Sequence, residues 1–82
     1  MAEILWTDTA KGALHKLPQR TQAEILRRVE QLALFPLLGP QMTRRWANYR
    51  QLLAGDYRIV YQVSFERDTV IIVYLRHQRR KL

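Results

Sequence analysis

The chain of 82 residues has no cysteine. That excludes disulfides and thiolate-held metals, and it fits a reducing compartment. Histidine is scarce too. His15 and His77 are the only two, neither has a carboxylate pair at ligand spacing, and no metal site or cofactor is expected. His15, between Leu14 and Lys16, reads as a solvated surface residue. Glycines stand only at 12, 39 and 55, too few and too far apart for a Gly-rich phosphate loop. The seven acids are scattered, with no glycosidase pair, and the hydroxyls form no legible Ser–His–Asp set. No apolar run approaches the roughly 18 residues that span a bilayer. The opening "MAEILWTDTAKG" lacks a basic region before an apolar stretch, so no signal peptide and no membrane partner are expected, and the location reads as cytoplasmic.

What is present is a globular composition, 48% apolar and 26% charged. The length predicts one small domain over residues 1–82 with a thin core, since such a chain buries only about 60–65% of its unfolded surface. Charge is the strongest bulk signal. Fourteen basic residues against seven acidic give +7. Residues 1–38 hold five basic and four acidic, whereas residues 39–82 hold nine and three, so +6 of the excess lies in the second half. Eleven of the fourteen are arginine, which grips phosphate through a planar fork and stacks on bases. Charge alone leaves three readings open: a nucleic acid partner, an acidic protein partner, or a solubilising surface.

Hydrophobic spacing predicts the elements. "EILW" (Glu3–Trp6) reads as an edge strand. Thr7 or Asp8 caps a first helix, whose Ala10, Ala13, Leu14 and Leu17 share a face and which Pro18 stops. Pro18 also opens a second helix, carrying Ile25, Leu26, Val29, Leu32 and Ala33 at helical spacing. "FPLLGP" (Phe35–Pro40) ends it. Three strands follow: Trp46–Leu53, Tyr57–Phe65 and Thr69–His77, joined by turns at Ala54–Asp56 and Glu66–Asp68. The expected fold is α+β: an N-terminal strand, two helices, then three antiparallel strands, with the helices on one face of a small, mainly antiparallel sheet. In the middle strand Tyr57, Ile59, Tyr61, Val63 and Phe65 would floor the helices, and Arg58, Val60, Gln62 and Ser64 would face away.

The tail "RHQRRKL" packs Arg76, His77, Arg79, Arg80 and Lys81 directly after the last strand. A tight hairpin at 66–68 pairs positions summing to about 134, which sets Arg58 near Arg76 and close to His77, with Arg50 a less certain neighbour. Such a cluster suits metal-free RNA cleavage. A 2′-OH attacking the adjacent phosphate needs a proton acceptor, a proton donor for the leaving 5′-oxygen, and positive charge for the transition state. Histidine supplies either proton role and arginine the charge. A basic tail that only binds an acidic partner is the other reading of the same residues.

In order along the chain, "WTDTAKGALHKLPQRTQAEILRRVEQL", then "YRIVYQV" after a Gly turn, then an "ER-D" hairpin and "RHQRR", resemble the RelE/ParE toxin superfamily of toxin–antitoxin systems. The resemblance spans essentially the whole chain and implies a RelE-like fold. Its RelE branch implies a ribosome-dependent mRNA endonuclease that inhibits translation and is neutralised by an acidic antitoxin in a hetero-oligomer. Its ParE branch implies a DNA gyrase inhibitor without that nuclease site, and a non-catalytic antitoxin-binding member is a third alternative. Residue by residue, Arg58 matches the strand arginine that contacts the scissile phosphate. His77 and Arg79 match a "GH-R-R" pattern in which Arg76 replaces the glycine and Gln78 the first basic residue. These three are the expected catalytic residues. Arg44, Arg45, Tyr49, Arg50, Arg76, Arg80 and Lys81 are the expected RNA contacts. Leu82 stands where many members carry a catalytic Tyr, and "NYRQLL" offers one cation where RelE places two lysines. Trp6, Trp46 and Tyr74 read first as core or partner contacts and second as base-stacking platforms. The helix pair and the Leu37–Pro40 loop are candidate antitoxin contacts, the loop equally a plain connection.

Overall fold

Thr7 shows how the chain locks its two layers together. Its backbone is extended and its Oγ1 accepts the Ala10 N–H at 3.2 Å, capping helix α1 (Asp8–His15). The same hydroxyl donates to the Val73 carbonyl at 3.0 Å, tying the helix to a strand 66 residues away. A computed structural model describes residues 1–80, so Lys81 and Leu82 lie outside the described residues. After strand β1 (Glu3–Trp6) come α1, helix α2 (Gln19–Leu34), a short 3₁₀ turn (Arg44–Trp46), and strands β2 (Arg50–Ala54), β3 (Tyr57–Ser64) and β4 (Thr69–His77). Two helices pack against a four-stranded mixed sheet of order β1-β4-β3-β2, β1 running parallel to β4 and the rest antiparallel. The α+β architecture follows the sequence expectation.

The core lies between helices and sheet. Ala10 and Leu14 of α1 and Ile25, Val29 and Leu32 of α2 meet Leu52, Ile59, Tyr61, Val70, Ile72 and Leu75. Burying this surface is the main stabilising term in so small a chain. Several expectations are corrected. α1 ends at His15, before Pro18, although Leu17 still packs on the core from the connection. Leu26 is 40% exposed, at the edge of the helical stripe. Phe65 lies beyond β3 and is 72% exposed, so it floors nothing. The strand expected from Trp46 begins only at Arg50. Local bonds take the preceding residues: Trp46 N–H donates to Thr43, Ala47 to Arg44, and Tyr49 to Trp46. These i→i+3 bonds form a tight turn and occupy the N–H groups of Trp46, Ala47 and Tyr49 that a ladder would use.

One irregularity decides which residues face the site. Ser64 to Tyr61 pair with Thr69 to Ile72, whereas Val60 pairs with Tyr74. Val73 is the extra residue, a β-bulge, and its carbonyl is the one that Thr7 binds. Before the bulge Val70 and Ile72 face the helices; after it Leu75 and His77 do, and Tyr74 and Arg76 turn to the opposite face.

Candidate nucleic-acid interface

The basic tail is tied to the β2–β3 turn. Gly55 makes that turn with φ +56°, and a Cβ there would also crowd the Glu24 carboxylate. Gln78 grips the turn twice: its backbone N–H donates to the Asp56 carbonyl at 2.8 Å and its Nε2 to the Gly55 carbonyl at 2.7 Å. Arg58, opposite Arg76 in register, donates from Nη2 to the Gln78 carbonyl at 3.4 Å, a long bond that leaves most of the guanidinium free. Beyond Gln78 the chain curls back on His77. The Arg79 N–H donates to His77 Nδ1 at 3.2 Å and the Arg80 N–H to the His77 carbonyl at 3.0 Å. With Nδ1 accepting, the neutral imidazole carries its proton on Nε2.

The face away from the helices is only partly covered. The chain from Gln41 to Tyr49 folds over it, so that Val60 is fully buried there. Trp46 anchors this cover edge-to-face, its ring centroid 5.1 Å from Tyr49 and 5.6 Å from Tyr74. Beside the cover opens a groove of about 420 Å³ lined by Gln41, Met42, Thr43, Arg44, Arg45, Trp46, Gln51 and Arg58. Three of these eight are arginines and none is acidic. Arg44 holds φ +58°, a left-handed conformation that costs a non-glycine residue and marks functional segments more often than others. Arg76 lies over the Tyr74 ring at 5.6 Å.

The expected site residues therefore divide. Arg58, Arg44 and Arg45 share the groove, and Tyr49 buttresses its Trp46 wall. His77 and Arg58 adjoin in register, but His77 points to the helix side, edge-on to Tyr57 at 5.3 Å. There it lines a second cleft of about 740 Å³ with Asp8, Gly12, Lys16, Tyr57 and Arg80. β1 pairs only with Thr69–Ile72 of β4, and Arg76 also lines this cleft. Arg79 is exposed on the tail and lines neither opening. Arg50 is not brought into the groove: it pairs with Tyr61, on the helix-facing side, and its Nη1 donates to the Gly39 carbonyl at 2.9 Å.

Tyr61 sits at the centre of that support. Its hydroxyl donates to the Pro36 carbonyl and accepts the Gly39 N–H, each at 2.9 Å. Burial pushes its pKa up, and the Gly39 bond and the nearby Arg50 charge partly offset this. It is a structural group, since it faces neither opening. Sequence reasoning missed Gln51, which lines the groove from β2. The available signal was its place one residue before the buried Leu52, where strand alternation sends it to the other face. Among the described residues no cluster of His, Cys, Asp and Glu could hold a metal, and no helix is long and apolar enough to cross a membrane.

The family model described as the ParE toxin of the type II toxin–antitoxin system, parDE, matches residues 4–82. The chain is 32% identical over 77 residues to Toxin RelG of Mycobacterium tuberculosis, covering 92% of this chain and 88% of that protein. Its fold superposes on the toxin–antitoxin complex RelBE2 of M. tuberculosis with a TM-score of 0.87 at 32% identity, over 93% of this chain and 96% of that one. The isolated E. coli RelE toxin shares the fold, with a TM-score of 0.82 at 17% identity over 99% and 88% of the two chains. The family model carries the ParE name and the relative at 32% identity the RelG name, and both lie within one superfamily, the RelE-like side being the nearer on sequence. The chain belongs to the RelE/ParE family of type II toxin–antitoxin toxins.

Proposed function

We propose that this toxin is an mRNA endonuclease that acts on the ribosome and blocks translation. The observation that carries the reading is Arg58, partly exposed in an acid-free groove with Arg44 and Arg45. Three guanidinium groups around one opening suit a phosphate backbone, and stabilising charge that develops on a phosphate is the largest single term such a site supplies. The scissile phosphate sits at the sheet end, held by Arg58, with Arg76, Arg79 and Arg80 along the adjoining backbone. His77 gives the leaving 5′-oxygen its proton from Nε2 as the imidazolium, a form in which Nδ1 is also protonated and the Arg79 N–H has let go of it. The groove lining holds no carboxylate or histidine, so the 2′-OH gives its proton to solvent water as it attacks, and alignment and the surrounding charge drive the step. The reaction needs no metal.

An acidic antitoxin is the expected partner, in a toxin–antitoxin hetero-oligomer. Support comes from the net charge of +7 and from the related folds crystallised as toxin–antitoxin complexes. Ribosome and mRNA are the expected target, in the cytoplasm. Mapping mRNA 5′ ends after incubation with programmed ribosomes tests the activity: discrete cuts are expected with the wild type, and none with Arg58→Ala. If no cut forms and Arg58→Ala arrests growth as well as the wild type, the endonuclease reading is lost. A gyrase inhibitor is the second reading, favoured by the ParE family match and by His77 facing away from Arg58. Inhibition of gyrase supercoiling by the pure toxin would establish it.

A further inference from the structure

Gln51 carries no charge, yet it occupies the groove. It pairs with Val60 in register and so points to the face away from the helices, beside Trp46 and Arg58. Its Oε1 is enclosed and accepts no hydrogen bond, the only buried side-chain polar atom among the described residues left in that condition. Buried polar atoms are almost always paired, and an unpaired one costs stability that a ligand recovers by bonding to it. The terminal torsion of glutamine is soft, so the amide turns to present its oxygen, its nitrogen, or both.

A phosphate cannot satisfy Oε1, because phosphate oxygens accept and so does Oε1. The arginines already provide the donors a phosphate needs. A nucleobase fits, since an amide offers a donor and an acceptor side by side, and the matching pair on adenine is N6–H with N7. Trp46 supplies an aromatic wall on which a splayed base stacks. At about 420 Å³ the opening is of the size that holds a small ligand. Resting on the reading that the groove takes RNA, we propose that Gln51 is a specificity-determining residue: its amide reads an unpaired adenine of the bound message.

Cleavage on programmed ribosomes tests this, using messages that differ only by one base at each position of the exposed codon. Wild type should cut about tenfold faster with adenine at one position, the discrimination that a two-bond amide–base pair supplies. Gln51→Leu should level that ranking. Gln51→Glu keeps the side chain's shape and replaces the donor with a second acceptor. It should slow every message and move the ranking towards guanine, whose N1–H and N2–H donate together. Gln51→Glu also serves should Gln51→Leu fail to fold. If both variants cut with the wild-type ranking, Gln51 does not read the base, while the endonuclease reading stands. If the wild type cuts no message, that reading fails and this one with it.

Discussion

Neighbouring residues of β3 live in different solvents. Ile59 and Tyr61 are wholly buried beneath the helices, while Arg58, one step away, lies partly exposed in an arginine-lined groove. The helix-facing side is closed, apolar and held by a tyrosine hydroxyl that donates to the Pro36 carbonyl and accepts the Gly39 N–H. The far side is closed only over Val60, where Trp46 rests on Tyr49 and Tyr74, and open elsewhere. One sheet thus separates stability from charge. Residues on the helix side hold the fold, and the cations on the far side stay near water, where they avoid the cost of burial and remain available to a phosphate.

That division is breakable. Arg58→Ala should cut the cleavage rate by about 100- to 1,000-fold, the effect of removing a donor from a developing charge, with unchanged circular dichroism. Ile59→Ala, one residue away on the other face, should instead cost about 2–5 kcal/mol of stability in denaturant titrations. Tyr61→Phe leaves the Gly39 N–H without its acceptor and should cost about 1–3 kcal/mol. Because burial raises the Tyr61 pKa, its contribution is complete below the ordinary tyrosine value of 10.0 and is lost as pH rises through the folded value. Alkaline unfolding should therefore be shallower in Tyr61→Phe. Thr7→Val removes the α1 cap and the bond to the bulge carbonyl and should cost about 1 kcal/mol. It should also loosen Arg76 from Tyr74, visible as NMR shifts at that ring. Phe65→Ser, at an exposed turn, should change stability by less than about 0.5 kcal/mol.

Pairs summing to 134 set Arg58 opposite Arg76, and that pairing is observed, but the hairpin itself pairs one residue tighter, Ser64 with Thr69, and the bulge at Val73 supplies the extra residue. The bulge was not legible. "TVIIVYL" is apolar throughout, so an extra residue at Val73 leaves no break in pattern, yet it changes the face of everything after it. His77 was expected close to Arg58 on backbone register alone, and side-chain alternation puts the two on opposite faces. "WANY" looked like a strand because its aromatics favour one, but the turn bonds around Trp46 prevail. The role of Gly39 was also hidden. A Cβ there would overlap the Gln51 carbonyl, a constraint that only the folded chain reveals.

The central claim is that RNA is cut at the face away from the helices, at Arg58. Single-turnover cleavage on programmed ribosomes by two folded variants tests it most directly: Arg58→Ala in the groove, and Arg27→Ala on the exposed side of α2. The predicted result is loss of cleavage in the first and a near wild-type rate in the second. Equal rates in the two variants would contradict the account.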